Sequence, residues 1–254
     1  MTLMSAGLPQ TVWTLWLQGW DAAPAVCHAS RASWQRQNPD WQITALSGRN
    51  LGDYLPEATV AAILRHRDPP EVSANLLRVE LLTRYGGVWA DATTICARPL
   101  SGWLPDQMGS GFFGFGFPPE VGRPLASWFL ASVPDGMIIR MWRAACWAYW
   151  HGRIQRHTYH WMHESFGLLS ETDLAFHQAW QATPHISALH PLHFAPDAPA
   201  LFDPPTAEML AHLAAPHAAV WKLTHKLSSP PEANSLFAHL CGLAYSCPEL
   251  QEYP

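Results

Sequence analysis

The chain has 254 residues, 48% of them hydrophobic and only 14% charged, with 14 tryptophans and 23 prolines. Soluble domains usually carry about 25% charged residues, so neutral polar, proline and aromatic groups make up an unusual share of the surface. A net charge of −5 argues against a nucleic-acid binder, which shows a basic stripe, and the apolar content excludes intrinsic disorder.

Thr11–Leu17 reads TVWTLWL, β-branched and aromatic, and predicts a strand. Asp21 marks a helix start with Pro24 in its first turn, and the helix runs Ala25–Gln37 up to Asn38-Pro39. Trp41–Leu46 reads as a second strand and Leu55–Arg67 as a second helix, closed by Asp68-Pro69-Pro70. This β-α-β-α order points to a parallel sheet covered by helices. Ser73 is placed to cap a helix over Ala74–Tyr85, with Leu77 and Leu81 on one face and Leu82 and Tyr85 beside it. Gly86-Gly87 follow, where a left-handed helix end needs glycine. Val88–Ala90 is a short buried strand, and Asp91 stands at its carboxyl end, where open α/β sheets bind ligands.

Gly109–Pro119 (GSGFFGFGFPP) reads as a strand whose glycines admit a close neighbour. Leu125–Ser132 and Met137–Gln155 read as helices, the second with Ile138, Met141, Trp142 and Ala145 on one face. Tyr159–Leu169 is helical, residues 181–208 form a long Pro-, Ala- and His-rich loop, and Met209–Leu213 is a short helix. Val220–Leu227 is a strand or the lip of a pocket, and Asn234–Tyr245 is a last helix. No internal repeat or composition break divides the chain.

No run of 18 apolar residues is present, so no transmembrane helix is expected. Residues 1–20 carry no charge, but they lack a basic start, and Pro9, Gln10 and Gln18 interrupt the apolar run. The expected location is therefore cytoplasmic. Cys27, Cys96, Cys146, Cys241 and Cys247 are odd in number and form no C-x-x-C pair, so they read as small buried hydrophobes.

Three groups of residues suggest chemistry. Asp91 and Thr93 are two apart, so on an extended strand a carboxylate and a hydroxyl would face one spot. One carboxylate plus a diphosphate suffices for a hard divalent cation. Asn75 and Arg78 share a helix face, and the planar fork of arginine suits phosphate or a sugar hydroxyl. Both lysines of the chain, Lys222 and Lys226, flank His225, a pattern that fits a diphosphate and a metal. Local sequence alone leaves each open to a plainer reading: a turn cap, a solvated helix face, a basic loop. His160 and His163 share a helix face beside Glu164, but H-E-x-x-H is absent, since position 167 is Gly. His185, His190 and His193 read as solvent-facing. No nucleophile elbow, P-loop or dinucleotide fingerprint follows a strand.

The block SANLLRVELLTRYGGVWADATTIC (Ser73–Cys96) resembles the signature of the capsular polysaccharide synthesis proteins, which are similar to the DxD-containing sugar transferases of glycosyltransferase family 32. TVWTLWLQGWDAAP and SWQRQNPDW resemble the first strand and following helix of that group, and WKLTHK a weaker C-terminal match. The resemblance implies a GT-A-like α/β nucleotide-binding sandwich, with a mostly parallel sheet flanked by helices and extra C-terminal helices. It implies a single domain over 1–254, binding a nucleotide sugar through about 8–100 and closing on an acceptor through about 101–245. The implied activity is transfer of a sugar from a nucleotide-sugar donor to a glycan acceptor in polysaccharide biosynthesis, with retention of configuration.

Carried over by position, Asp91, Arg78 and Asn75 are the implied catalytic set. Trp13 and Trp16 offer aromatic faces near the base, and Gln18, Gly87 and Ala90 complete the donor side. Lys222 and Lys226 close on the diphosphate. Mn²⁺ or Mg²⁺ is implied on Asp91, Thr93 and His225, and acceptor contacts on His163 and Glu164. Two departures remove charge: Asn75 replaces the helix Asp of the group, and Thr93 the second Asp of DxD, where the capsular-type members commonly show Asp-Ala-Thr. They leave room for a catalytically silent nucleotide-sugar-binding module. A small-molecule or peptide acceptor is a further alternative. The absence of a membrane span leaves room for peripheral association with membrane glycan assembly.

Overall fold

The computed structural model describes residues 7–65, 70–189, 199–215, 218–227 and 231–245. Arg67, Asp68, Pro69, His190, His193 and Cys247 lie outside them.

The chain opens with β1 (Thr11–Leu15), crosses through α1 (Ala25–Gln37) and returns as β2 (Gln42–Leu46). It then runs through α2 (Glu57–Leu64) and α3 (Pro70–Tyr85) into β3 (Gly87–Ala90), followed by the short β4 (Thr94–Cys96). β5 (Phe112–Gly116) and β6 (Leu125–Ser132) complete the main sheet. Next come α4 (Met137–Trp150), α5 (Trp161–Thr172) and α6 (Leu174–Gln181). α7 (Pro199–Phe202), α8 (Ala207–Ala214), β7 (Val220–Lys222) and α9 (Leu236–Tyr245) form the C-terminal part.

The sheet order is β2-β1-β3-β6-β5. β1 pairs in parallel with β2 and β3, and β6 pairs antiparallel with β3 and β5. Within this five-stranded sheet every strand except β6 therefore runs the same way, as the expected mostly parallel α/β sheet requires. The chain leaves β1 for β2 on one side and later returns to β3 on the other. Such a switch in strand order opens a crevice at the carboxyl ends of the two strands.

The period-2 alternation of strands divides the core. Trp13, Leu15, Trp89, Phe112 and Leu130 face a cluster built with α3, α4, α5 and α6. Val12, Val88, Ala90, Phe113, Phe115 and Phe129 face the opposite cluster, where Trp34 of α1 packs. Trp142 and Phe166 lie buried edge to face at 4.9 Å, and the Trp142 Nε1 donates to Met162 O at 3.0 Å. Cys27, Cys96, Cys146 and Cys241 are buried, and burial pushes each thiol up to about 12, so they behave as the hydrophobes expected.

Three readings of local sequence are corrected. Leu125–Ser132 is a strand, β6, and not a helix: it lies between β3 and β5 and is buried on both faces, so its apolar run carries no alternation to betray it. Ser73 does not cap α3, which begins at Pro70; a first-turn proline lacks only an N–H that has no helical partner there. The long loop expected at 181–208 is shortened by α6, α7 and the start of α8.

Candidate active site

Gly86 and Gly87 turn α3 back along β3 with φ of 65° and 88°, a left-handed backbone that glycine alone adopts freely. The reversal brings Arg78 of α3 beside Asp91. Arg78 Nη2 donates to Asp91 Oδ1 at 3.0 Å, and the guanidinium lies over the Trp89 ring, 5.1 Å from its centroid. The Trp89 Nε1 donates to the same carboxylate oxygen at 2.9 Å. Trp89 and Asp91 are two apart, so the period-2 rule that grouped Asp91 with Thr93 finds its partner on the other side.

Asp91 to Thr93 is not extended. The Thr94 N–H and hydroxyl both bond to Asp91 O, at 2.9 and 2.7 Å, making a turn into β4. α1 anchors that strand: Ser30 Oγ and Trp34 Nε1 donate to Thr94 O, and the Cys96 N–H donates to Ser33 Oγ. β4 pairs antiparallel with β7 in a register that sets Thr94 opposite Lys222. That register delivers the Lys222 ammonium to Thr93 Oγ1, to which it donates, and to within 3.9 Å of Asp91 Oδ2.

A cleft of about 580 Å³ opens at this point, within the range of small-molecule sites. The ends of β1 and β3 line it through Leu15, Trp16, Leu17, Gln18, Trp89 and Asp91. Glu71, Ala74 and Arg78 form one stripe of α3 along its wall, and Thr93, Lys222, His225 and Lys226 another side. Phe117, Arg123, Trp128, Tyr159 and His163 line a further part. The Arg123 guanidinium sits 4.5 Å from the centroid of Phe117. Arg78, Arg123, Lys222 and Lys226 are all in this wall, opposed by Asp91 and by Glu71, which pairs with Arg156 at 3.2 Å. In a chain of net charge −5, that gathering of cations selects an anion.

Burial disfavours charge on these groups. The Arg78 guanidinium is pushed below its ordinary range by desolvation, with Asp91 opposing the shift. Lys222 is lowered by desolvation and by Arg78, again against Asp91. His225 is lowered by burial and by Lys226 and Lys222; its ring meets Trp16 edge to face at 5.2 Å. His163 falls from 6.5 to about 3, first through burial and then through Arg123, Arg78 and His160. Its Nδ1 has no hydrogen-bond partner.

The His163 shift has a consequence for stability. The unfolded chain takes this proton near pH 6.5, and the folded one refuses it until about pH 3. The stability is therefore complete above pH 6.5 and is lost as pH falls toward 3. At about pH 5 the loss is up to about 2 kcal/mol, or about 4–8 °C in Tm. His163→Asn is expected to flatten the Tm profile between neutral pH and about pH 5; parallel profiles for the two proteins would contradict the assignment.

The cleft thus brings together Trp16, Gln18, Arg78, Asp91, Thr93, Lys222, His225, Lys226 and His163. It does not collect every residue the resemblance implied. Trp13 is buried on the α-helical side of the sheet between Tyr54 and Tyr85, its Nε1 donating to Gly86 O at 2.9 Å. Asn75 lies beside the Glu71–Ala74–Arg78 stripe and off the cleft wall. Gly87 and Ala90 are buried within the sheet. Glu164 is exposed and accepts from Thr158 Oγ1 at 2.9 Å. Trp89, a tryptophan of the block that carries the resemblance, lines the cleft, and Arg123, Phe117, Trp128 and Tyr159 enter the site without having been expected there.

A divalent ion on Asp91, Thr93 and His225 does not fit these residues. Asp91 Oδ1 already accepts two hydrogen bonds, its second oxygen faces an ammonium, and that ammonium also holds the Thr93 hydroxyl. One carboxylate plus a diphosphate would serve a hard cation only if that carboxylate were open to it, and here two fixed cations already oppose it. Among the described residues no group of three or more His, Cys, Asp or Glu side chains is placed to hold an ion.

The sequence model of a family described as "Capsular polysaccharide synthesis protein" matches residues 4–240. "Glycosyltransferase afumC" of Aspergillus fumigatus is 25% identical over 159 residues, 56% of this chain and 39% of its own. "Probable glycosyltransferase FCK3" of Fusarium pseudograminearum is 24% identical over 160 residues, 58% of this chain and 41% of its own. "O-glycosyltransferase braB" of Annulohypoxylon truncatum is 25% identical over 169 residues, 59% and 40% of the two chains. The matches thus span about two fifths of these relatives' lengths. A solved structure, "PaToxG Glycosyltransferase", aligns over 84% of this chain and 85% of its own at 13% identity and a TM-score of 0.44. The extent of the family match, from residue 4 to residue 240, makes this chain a member of the capsular polysaccharide synthesis protein family.

Proposed function

We propose that the chain is a glycosyltransferase that takes a sugar from a nucleoside diphosphate donor and passes it to a hydroxyl acceptor, in polysaccharide biosynthesis. The observation that carries this reading is the concentration of Arg78, Arg123, Lys222 and Lys226 around Asp91, in one cleft at the carboxyl ends of β1 and β3. The names of the relatives support it. In this reading the nucleotide-binding part is the first 100 or so residues, and the acceptor side is formed by the rest.

The reaction breaks the bond between the anomeric carbon and the diphosphate oxygen and forms one from that carbon to the acceptor oxygen, whose proton passes to the leaving diphosphate. Negative charge grows on the leaving diphosphate. Lys222 and Lys226, as point charges, and Arg78, as a planar fork, oppose it in a partly dry site, where such terms are large. Asp91 acts on this through Arg78 and Lys222, fixing both. Trp16 offers the donor an aromatic face at the end of β1. The acceptor enters past Phe117, Trp128 and Tyr159, whose rings suit a sugar face or a flat aglycone. That aromatic lining favours, as a second reading, a ring-bearing small molecule as acceptor. Configuration is retained in the reading argued from the family.

The test is incubation with a panel of nucleotide sugars, with product masses read for a glycan and for a flat phenolic acceptor. One donor should be consumed and should raise the Tm. If no donor of the panel is turned over but one raises the Tm, the chain is a silent binding module. If none does either, the proposal falls.

A further inference from the structure

We propose that this cleft holds its diphosphate without a divalent ion, the Lys222 ammonium standing as the fixed counter-charge. This rests on the nucleotide-sugar reading above and concerns how the same site neutralises the leaving group.

The register of β4 and β7 sets Thr94 opposite Lys222. The Leu223 N–H donates to Thr93 O at 2.9 Å, so the backbone is tied on both sides of the pairing. The Lys222 side chain is only 17% exposed. Its ammonium donates to Thr93 Oγ1 and to its neighbour Leu223 O, and faces Asp91 Oδ2 at 3.9 Å. These are the hydroxyl and the carboxylate oxygen that a bound cation would need. A covalently held cation therefore occupies their point of convergence.

Charge arithmetic at the site points the same way. A second carboxylate at position 93 would pull a divalent ion in; a threonine there offers a neutral acceptor, which an ammonium satisfies as well as a metal does. Arg78 is 4% exposed, and its Nε has no hydrogen-bond partner. The Arg78 side chain lines the cleft, and the planar fork of a guanidinium suits a phosphate oxygen. With Lys226 and Arg123 on the same wall, the protein supplies the positive charge that a diphosphate requires. Adding a divalent ion to this set would place it against four like charges, with Asp91 already occupied and Glu71 already paired with Arg156.

The experiment is titration calorimetry of the full chain with UDP, GDP, ADP and CDP, in EDTA and again in millimolar Mn²⁺. The binding nucleotide should show a Kd in EDTA within about threefold of that in Mn²⁺. Lys222→Met should weaken binding in EDTA by about 10- to 100-fold, and Lys222→Arg, which keeps the charge, by much less. A wild-type Kd more than about tenfold weaker in EDTA than in Mn²⁺ overturns the inference and leaves the nucleotide reading standing. So does a folded Lys222→Met that binds as tightly as wild type. If Lys222→Met does not fold, the wild-type comparison decides alone. Absence of binding in both buffers removes the nucleotide reading, and this inference with it.

Discussion

Asp91→Ala is expected to lose about 2–4 kcal/mol of folding stability and about 5–15 °C of Tm, together with at least about 100-fold of any turnover. The reason lies in what Asp91 holds. The Arg78 side chain is 5% exposed and cannot shed its proton or reach water without moving α3. Removing one partner of a buried ion pair leaves the other uncompensated, which costs about 3–5 kcal/mol. Asp91 is itself 29% exposed at the cleft, so solvent recovers part of that cost, and the lower figure applies. Lys222 and Trp89 lose an acceptor in the same step. Arg78→Met should cost less, because Asp91 keeps Lys222 and Trp89. The double variant Asp91→Ala/Arg78→Met should be more stable than the sum of the two losses predicts, by about 1–3 kcal/mol. Chemical unfolding of the four proteins measures this coupling. Additive losses would mean that the pair contributes nothing.

The turnover loss separates from the stability loss because the two have different owners. Stability responds to the unpaired Arg78. Turnover responds to the loss of aim of Arg78 and Lys222 at the diphosphate. A folded Asp91→Asn keeps one acceptor for Trp89 or Arg78, so it should recover stability more than activity.

Asp91 itself was legible in the sequence, and its setting was not. Gly86-Gly87 after an amphipathic helix, followed by a short apolar strand, fixes a tight reversal with a carboxylate at its far end. Each step there has a local cause. The pairing of Lys222 with Thr93 has none, since 129 residues separate them and only the β4–β7 register joins them. The assumption that Asp91 and Thr93 shared a strand face failed because β3 ends at Ala90 and the backbone turns. Family position puts Trp13 in the site, and both family position and a helix face shared with Arg78 put Asn75 there. The period-2 face of β1 carries Trp13 into the core, and the cleft-facing stripe of α3 passes Asn75 by. β6 reads as a helix because a strand buried on both faces has the same apolar run. Of the tryptophans, Trp142 lies in the core, and Trp147 packs against the same cluster while its Nε1 donates to the buried Glu80.

Gly87→Ala is expected to be among the most damaging single substitutions in the chain, lowering Tm by more than about 10 °C. Two costs add. The φ of +88° already strains an L-residue, at about 1–2 kcal/mol. A Cβ here would also stand 2.5 Å from Thr11 O and 3.4 Å from Thr11 Cβ, and the first of these is a backbone atom with no rotamer to yield. To clear it, β1 and β3 must part, and their parallel pairing Val12↔Val88 and Trp13↔Trp89 goes with them. That pairing is also what sets the end of β1, with Trp16, against the end of β3, with Asp91. Gly122→Ala separates the two costs, because its φ is +70° and nothing lies within 4 Å of the added Cβ. It should lose only the conformational part, about 1–2 kcal/mol, or about 2–8 °C. The excess loss in Gly87→Ala over Gly122→Ala then measures the contact with Thr11, and equal Tm values for the two variants would show that β1 moves away at no cost.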